Sequence, residues 1–177
     1  MTHTPFESAA NFLLLDDNRI EPNEAGIWIQ AAHEASTASH RRLRLCEAGA
    51  FLARLFARRP WLDAVQFKLA SSITHAGAGK YLRLLRCEVE EVRFVPACAL
   101  PEGEFPGGEA DADVATASLM EDLLDYEFEL YGDLRGGHGR LDDLALSLRR
   151  APIESLLQAR PLSGAMAVKA WELDKLD

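Results

Sequence analysis

Apolar positions along this chain switch between a helical and a two-residue period, and the switches mark its elements. Phe6 to Leu15 is a helix-length apolar stretch, closed by the turn formers Asp16-Asp17-Asn18. Pro22 suits the first turn of a second expected helix, where a missing N–H costs nothing. Glu24 adds a favourable charge there, and Ile27, Trp28, Ala31 and Ala35 recur at helical spacing. Ser36-Thr37-Ala38-Ser39 reads as an interruption, with Ser39 as a fresh N-cap. From His40 to Arg59, Leu45, Ala48, Leu52, Leu55 and Phe56 share one face. Six arginines between Arg41 and Arg59 decorate the segment, and Pro60 ends it.

A period of two then takes over. Val65, Phe67 and Leu69 alternate with Gln66, Lys68 and Ala70, the mark of a half-buried strand. His75 to Gly79 reads as a turn, and Lys80 to Val95 as a second long strand. Its phase changes between Val89 and Val92, which a bulge near Glu90-Glu91 would repair. The two runs predict a β-hairpin. Pro96 to Ala115, with its prolines, glycines and acids, reads as a mobile loop. Thr116 or Ser118 then caps an expected helix from Leu119 to Tyr131, although Tyr126, Phe128 and Leu130 also alternate. Gly136 to Gly139 is a second turn. Leu144 to Leu148 alternates and is open between strand and helix. Short helices are expected from Pro152 to Ala159 and from Gly164 to Leu173.

The expected fold is therefore α+β: N-terminal helices, a central antiparallel β-hairpin or small sheet of about three strands, and C-terminal helices packed on the sheet. We expect one domain over residues 1–177, with a mobile acidic loop at 96–115. At 177 residues and 48% hydrophobic content, a core needs neither disulfide nor metal. Cys46, Cys87 and Cys98 form no CxxC pair, and reduced thiols in a cytoplasmic chain are the simple reading. The N-terminus is a poor signal peptide, and no window is long and apolar enough for a membrane span. Fifteen arginines against four lysines read as the coding bias of a GC-rich bacterium.

Charge changes the picture more than composition does. Residues 1–93 carry 12 Lys+Arg and 11 Asp+Glu, and residues 135–177 carry 7 and 6. Residues 94–134 carry no base and 11 acids, so the formal charge of −9 is local. Like charges this dense repel one another, and they attract a basic partner. The expected partner-binding residues are Glu102, Glu104, Glu109, Asp111, Asp113, Glu121, Asp122, Asp125 and Glu129. Two plainer readings compete: a solvated face that aids solubility, or acids that fold back on the arginines of residues 41–59.

Motifs for chemistry are thin. HExxH is absent, and His33 and His40 lie seven apart. HAGAGKY lacks the first glycine and the Ser/Thr of a phosphate loop. The acidic loop lacks the regular ligand spacing of a calcium site. The acidic balance, with pI ≈ 5.1, disfavours direct nucleic-acid binding, and the Arg41–Arg59 segment is too polar for a membrane helix. We assign no catalytic residue, metal or cofactor. The expected function is a non-enzymatic protein-binding module, such as an inhibitor, immunity protein or small chaperone, presenting an acidic face to a basic protein. The alternative is a small enzyme, metal-dependent if its paired carboxylates hold a divalent ion, using His75 or His138 with Asp142 and Asp143. Homo-oligomerisation stays open.

Overall fold

A computed structural model describes residues 12–14, 20–75, 77, 79–135, 143–159 and 161–176. The fold is α+β: a short strand pair and a long helix, then a three-stranded antiparallel sheet with helices between and after its strands. The chain divides into two compact units, Met1–Leu43 and Arg44–Asp177.

In the first unit, β1 (Phe12–Leu14) pairs antiparallel with β2 (Ile20–Pro22). The end of the apolar stretch expected to be helical is thus a strand. The remainder of that stretch lies outside the described residues, as does Asp16-Asp17. Helix α1 (Glu24–Arg58) begins in this unit. Asn23 caps it: its Oδ1 accepts from the Gly26 N–H at 2.9 Å. Pro22 therefore precedes the helix and does not open its first turn. The expected break at residues 36–39 is absent. The Ser39 hydroxyl donates to the Ala35 carbonyl at 2.9 Å, a back-bond that holds a serine inside a helix.

The second unit contains the core. A three-stranded antiparallel sheet has the order β4-β3-β5, with β3 Leu62–His75, β4 Tyr81–Phe94 and β5 Leu144–Arg149. The hairpin forms as expected. Its turn uses positive φ at Gly77 (84°) and Gly79 (72°), which non-glycine residues rarely adopt. Val65 pairs with Val92, but Phe67 pairs with Val89, so the ladder slips one residue at Glu90. That bulge aligns three inward rows: Val92–Val65–Leu148, Val89–Phe67–Leu146 and Cys87–Leu69–Leu144. Residues Leu144 to Leu148 are a strand, with Leu144, Leu146 and Leu148 buried and their neighbours exposed.

The inward rows are covered by the second part of α1, where Ala48, Leu52, Leu55 and Phe56 are fully buried. Helix α2 (Ala112–Leu124) and α3 (Glu127–Arg135) lie against β4. The short α4 (Glu154–Leu157) and α5 (Gly164–Ala170) follow β5. Helices α1 and α5 cross at two glycines. A Cβ on Gly164 would stand 2.0 Å from the Cys46 carbonyl oxygen, and one on Gly49 would stand 2.5 Å from that of Gly164. Side chains are excluded there because the backbones nearly touch.

Arg150 ties the architecture together. Its guanidinium donates to the carbonyls of Phe56 (2.8 Å), Arg59 (2.7 Å) and Leu62 (2.7 Å). The last turn of α1 has carbonyls without helical partners, and Pro60 prevents the helix from continuing. From just past β5, Arg150 satisfies the Phe56 carbonyl of that turn and adds a second donor to the Arg59 carbonyl, which also accepts from the Leu62 N–H at 3.0 Å; the Trp171 indole donates to the Arg149 carbonyl beside it at 2.8 Å.

Candidate functional site

The acidic segment begins after Phe94 and runs over the β4 side of the sheet. The stretch expected to be a loop at 96–115 contains a 3₁₀ turn, Pro106–Gly108, and hands over to α2 at Ala112. Phe105 fixes its middle. Its ring is fully buried, 5.1 Å edge-on from Trp61 and 5.8 Å from Phe94. Burying a phenylalanine this completely is worth about 1.5–3 kcal/mol, enough to hold a short segment in place. Helix α2 starts seven residues before the expected Leu119, with Asp111 as its N-cap. The Asp111 carboxylate accepts from the N–H groups of Asp113 (2.8 Å) and Val114 (3.2 Å). Thr116 and Ser118 therefore lie inside the helix. The expected helix end at Tyr131 is also displaced: the chain breaks at Asp125-Tyr126 and continues as α3 to Arg135.

Helical periodicity divides the acids into two groups. On the inner side, the Asp122 carboxylate bridges Arg58 (2.8 Å) and Arg59 (2.7 Å). Arg59 is only 7% exposed, and it also donates to the hydroxyl and carbonyl of Ser118. The Ser118 hydroxyl donates to Glu104, whose second oxygen accepts from the Trp61 indole at 3.0 Å. Arg58, Arg59, Asp122, Ser118, Glu104 and Trp61 thus form one connected polar network between α1 and α2. Asp133 is buried at 6% exposure and receives Arg44 Nε at 2.8 Å. Burial pushes its carboxyl up from the ordinary range, against the opposing pull of the Arg44 hydrogen bond and charge. The Tyr126 hydroxyl lies 3.4 Å from the same carboxylate. Burial first, and the Asp133 charge second, push the Tyr126 phenol up to about 12.

On the outer side, Glu102, Glu109, Asp113, Glu121 and Asp125 are exposed. None of these five has an ion pair among the described residues. On α2, Glu121 and Asp125 are one turn apart, and Leu124, 54% exposed, sits between them. The nine expected partner-binding residues therefore do not act as one surface. Glu104 and Asp122 are held inside the network and Asp111 caps a helix, while the five others named face solvent. The side chain of Glu129 lies outside the described residues. Asp133, absent from the expected set, is the acid most deeply placed, and only its pairing partner Arg44, 89 residues away in sequence, reveals why.

The residues of the enzymatic alternative are not assembled among the described residues. His75 sits at the hairpin end, where its Nδ1 accepts from the Gly77 N–H at 3.2 Å and its ring meets Tyr81 edge-on. Asp143, just before β5, pairs with Lys68 at 2.6 Å, and that hydrogen bond holds its carboxyl below the ordinary range. Five strand residues between the level of Asp143 and His75 amount to roughly 16 Å. His138 and Asp142 lie outside the described residues. His33 and His40 are both exposed on α1. Cys46, Cys87 and Cys98 are in no disulfide. Among the described residues, no helix is long and apolar enough to cross a membrane, and no group of three potential ligands is placed to hold a metal ion.

No protein-family model, curated protein or solved structure matches the chain.

Proposed function

We propose that this chain is a non-enzymatic protein-binding module that offers the outer acids of the 102–125 stretch to a basic protein partner. The observation that carries this reading is the division of the carboxylates. The fold supplies arginines for Asp122 and Asp133, yet leaves Glu102, Glu109, Asp113, Glu121 and Asp125 exposed and without ion pairs among the described residues. Acids held in mutual repulsion raise the on-rate of a basic partner and disfavour acidic ones. Leu124 among them gives the encounter an apolar contact. An inhibitor, immunity protein or small chaperone works through such a face, occupying a basic surface in place of phosphate. The free thiols suit a cytoplasmic location.

Affinity capture with the intact chain, and with a Glu121→Lys/Asp125→Lys variant, tests the reading. We expect one basic protein retained by the wild type, released as ionic strength rises, and lost by the variant. Equal capture by both chains, or affinity indifferent to salt, would overturn it.

A further inference from the structure

We propose that the first part of α1, from Glu24 to Arg42, is a self-association surface that pairs antiparallel with the same segment of a second copy of the chain. This proposal does not depend on the acidic face.

Every residue from Ile27 to Leu43 is exposed, including Ile27 (55%), Trp28 (71%), Ile29 (60%) and Leu43 (67%). Most helical stability in proteins comes from packing one face, and this stretch packs none of its side chains among the described residues. Here Ser36, Thr37 and Ser39 weaken it further, since their hydroxyls compete for backbone partners. The bare Trp28 indole, with Ile27 beside the same face, adds to the cost of leaving the segment alone.

The pattern of the exposed side chains says what covers it. Glu24, Trp28, Ala31, Ala35, Ala38 and Arg42 are spaced 4-3-4-3-4. At 100° per residue they fall within a stripe roughly 80° wide, the a/d seam of a paired helix. The spacing reads the same from either end, so two copies related by a two-fold axis at the level of His33 superimpose their stripes. Trp28 then faces Ala38 of the second copy, Ala31 faces Ala35, and Glu24 faces Arg42, each contact occurring twice. The large side chain meets a small one, and the alanines let the axes approach to about 8 Å. Glu24 and Arg42 have no ion pair among the described residues of the chain, so the pairing supplies one for each. A parallel pair would set Trp28 on Trp28, Glu24 on Glu24 and Arg42 on Arg42, and is rejected by its own charges.

Sedimentation equilibrium on the intact chain tests the proposal, with far-UV circular dichroism as a control for folding. The wild type is expected to be a concentration-dependent dimer. Arg42→Glu places two acids together at each end and should weaken dimerisation roughly tenfold, as should Glu24→Arg. The double variant Glu24→Arg/Arg42→Glu swaps the charges across the axis and should restore it. Trp28→Ala should weaken the dimer without such rescue. A wild type that stays monomeric, single variants that dimerise unchanged, or a double variant no better than the singles would each overturn the proposal.

Discussion

The two sides of α2 carry the same kind of residue in opposite circumstances. On the inner side, Asp122 is held by two arginines and linked through Arg59 and Ser118 to Glu104 and Trp61. On the outer side, Glu121 and Asp125 are exposed and have no ion pair among the described residues. The two sets are adjacent in sequence, so composition cannot separate them. What separates them is whether the turn of the helix points a carboxylate at α1 or away from it. An acidic run is therefore two things at once here: part of the structural frame, and part of the surface.

Substitutions can break this contrast or sharpen it. The largest effect should come from Phe105→Ala, which removes the ring that pins the acidic segment to Trp61 and Phe94. We expect a loss of about 4 kcal/mol in urea unfolding. A loss under about 1 kcal/mol would mean the segment does not need its anchor. Asp122→Ala should follow, at about 3 kcal/mol, because it strands the buried Arg59. The matching outer change, Glu121→Ala, should stay within about 0.5 kcal/mol. If the two variants unfold at the same denaturant concentration, the distinction between inner and outer acids fails.

A smaller effect lies in the alkaline range. The folded phenol of Tyr126 is raised to about 12 from its ordinary 10.0. A raised pKa means that the folded state binds the proton more tightly than the unfolded chain. Stability from this group is then complete below pH 10 and is lost as pH rises toward 12. Tyr126→Phe should remove that slope, which unfolding curves at pH 9 and pH 11 will show. Parallel losses in wild type and variant would assign the alkaline decline to other groups. Smallest of all, Glu121→Lys/Asp125→Lys should leave stability within about 0.5 kcal/mol of wild type, while changing only salt-dependent association.

The hairpin was legible in the sequence because alternation is local: Val65, Phe67 and Leu69 show their face, and the phase change before Val92 shows the bulge at Glu90, whereas the alternation of Leu144 to Leu148 does not decide between strand and helix. Helix boundaries were less so. Asp111 reads as one more loop acid until its bonds to Asp113 and Val114 identify it as a cap. Ser36 to Ser39 reads as a break because serine and threonine disfavour helix interiors, yet the Ser39 hydroxyl finds a partner one turn back. The location of the acidic segment followed from counting charges. Its division into inner and outer acids did not, because Arg59 and Asp122 are 63 residues apart and Arg44 and Asp133 are 89 apart. Periodicity shows a face, not what meets it.

The Arg150 clamp has a consequence for the order in which this protein can be made. Its bonds join residues 88, 91 and 94 positions apart. On a ribosome adding about 5–20 residues per second, the carbonyls of Phe56, Arg59 and Leu62 emerge roughly 5–20 seconds before the guanidinium that answers them. Until then the Phe56 carbonyl at the end of α1 relies on water for this bond. The nascent chain therefore cannot complete this clamp until Arg150 has left the exit tunnel.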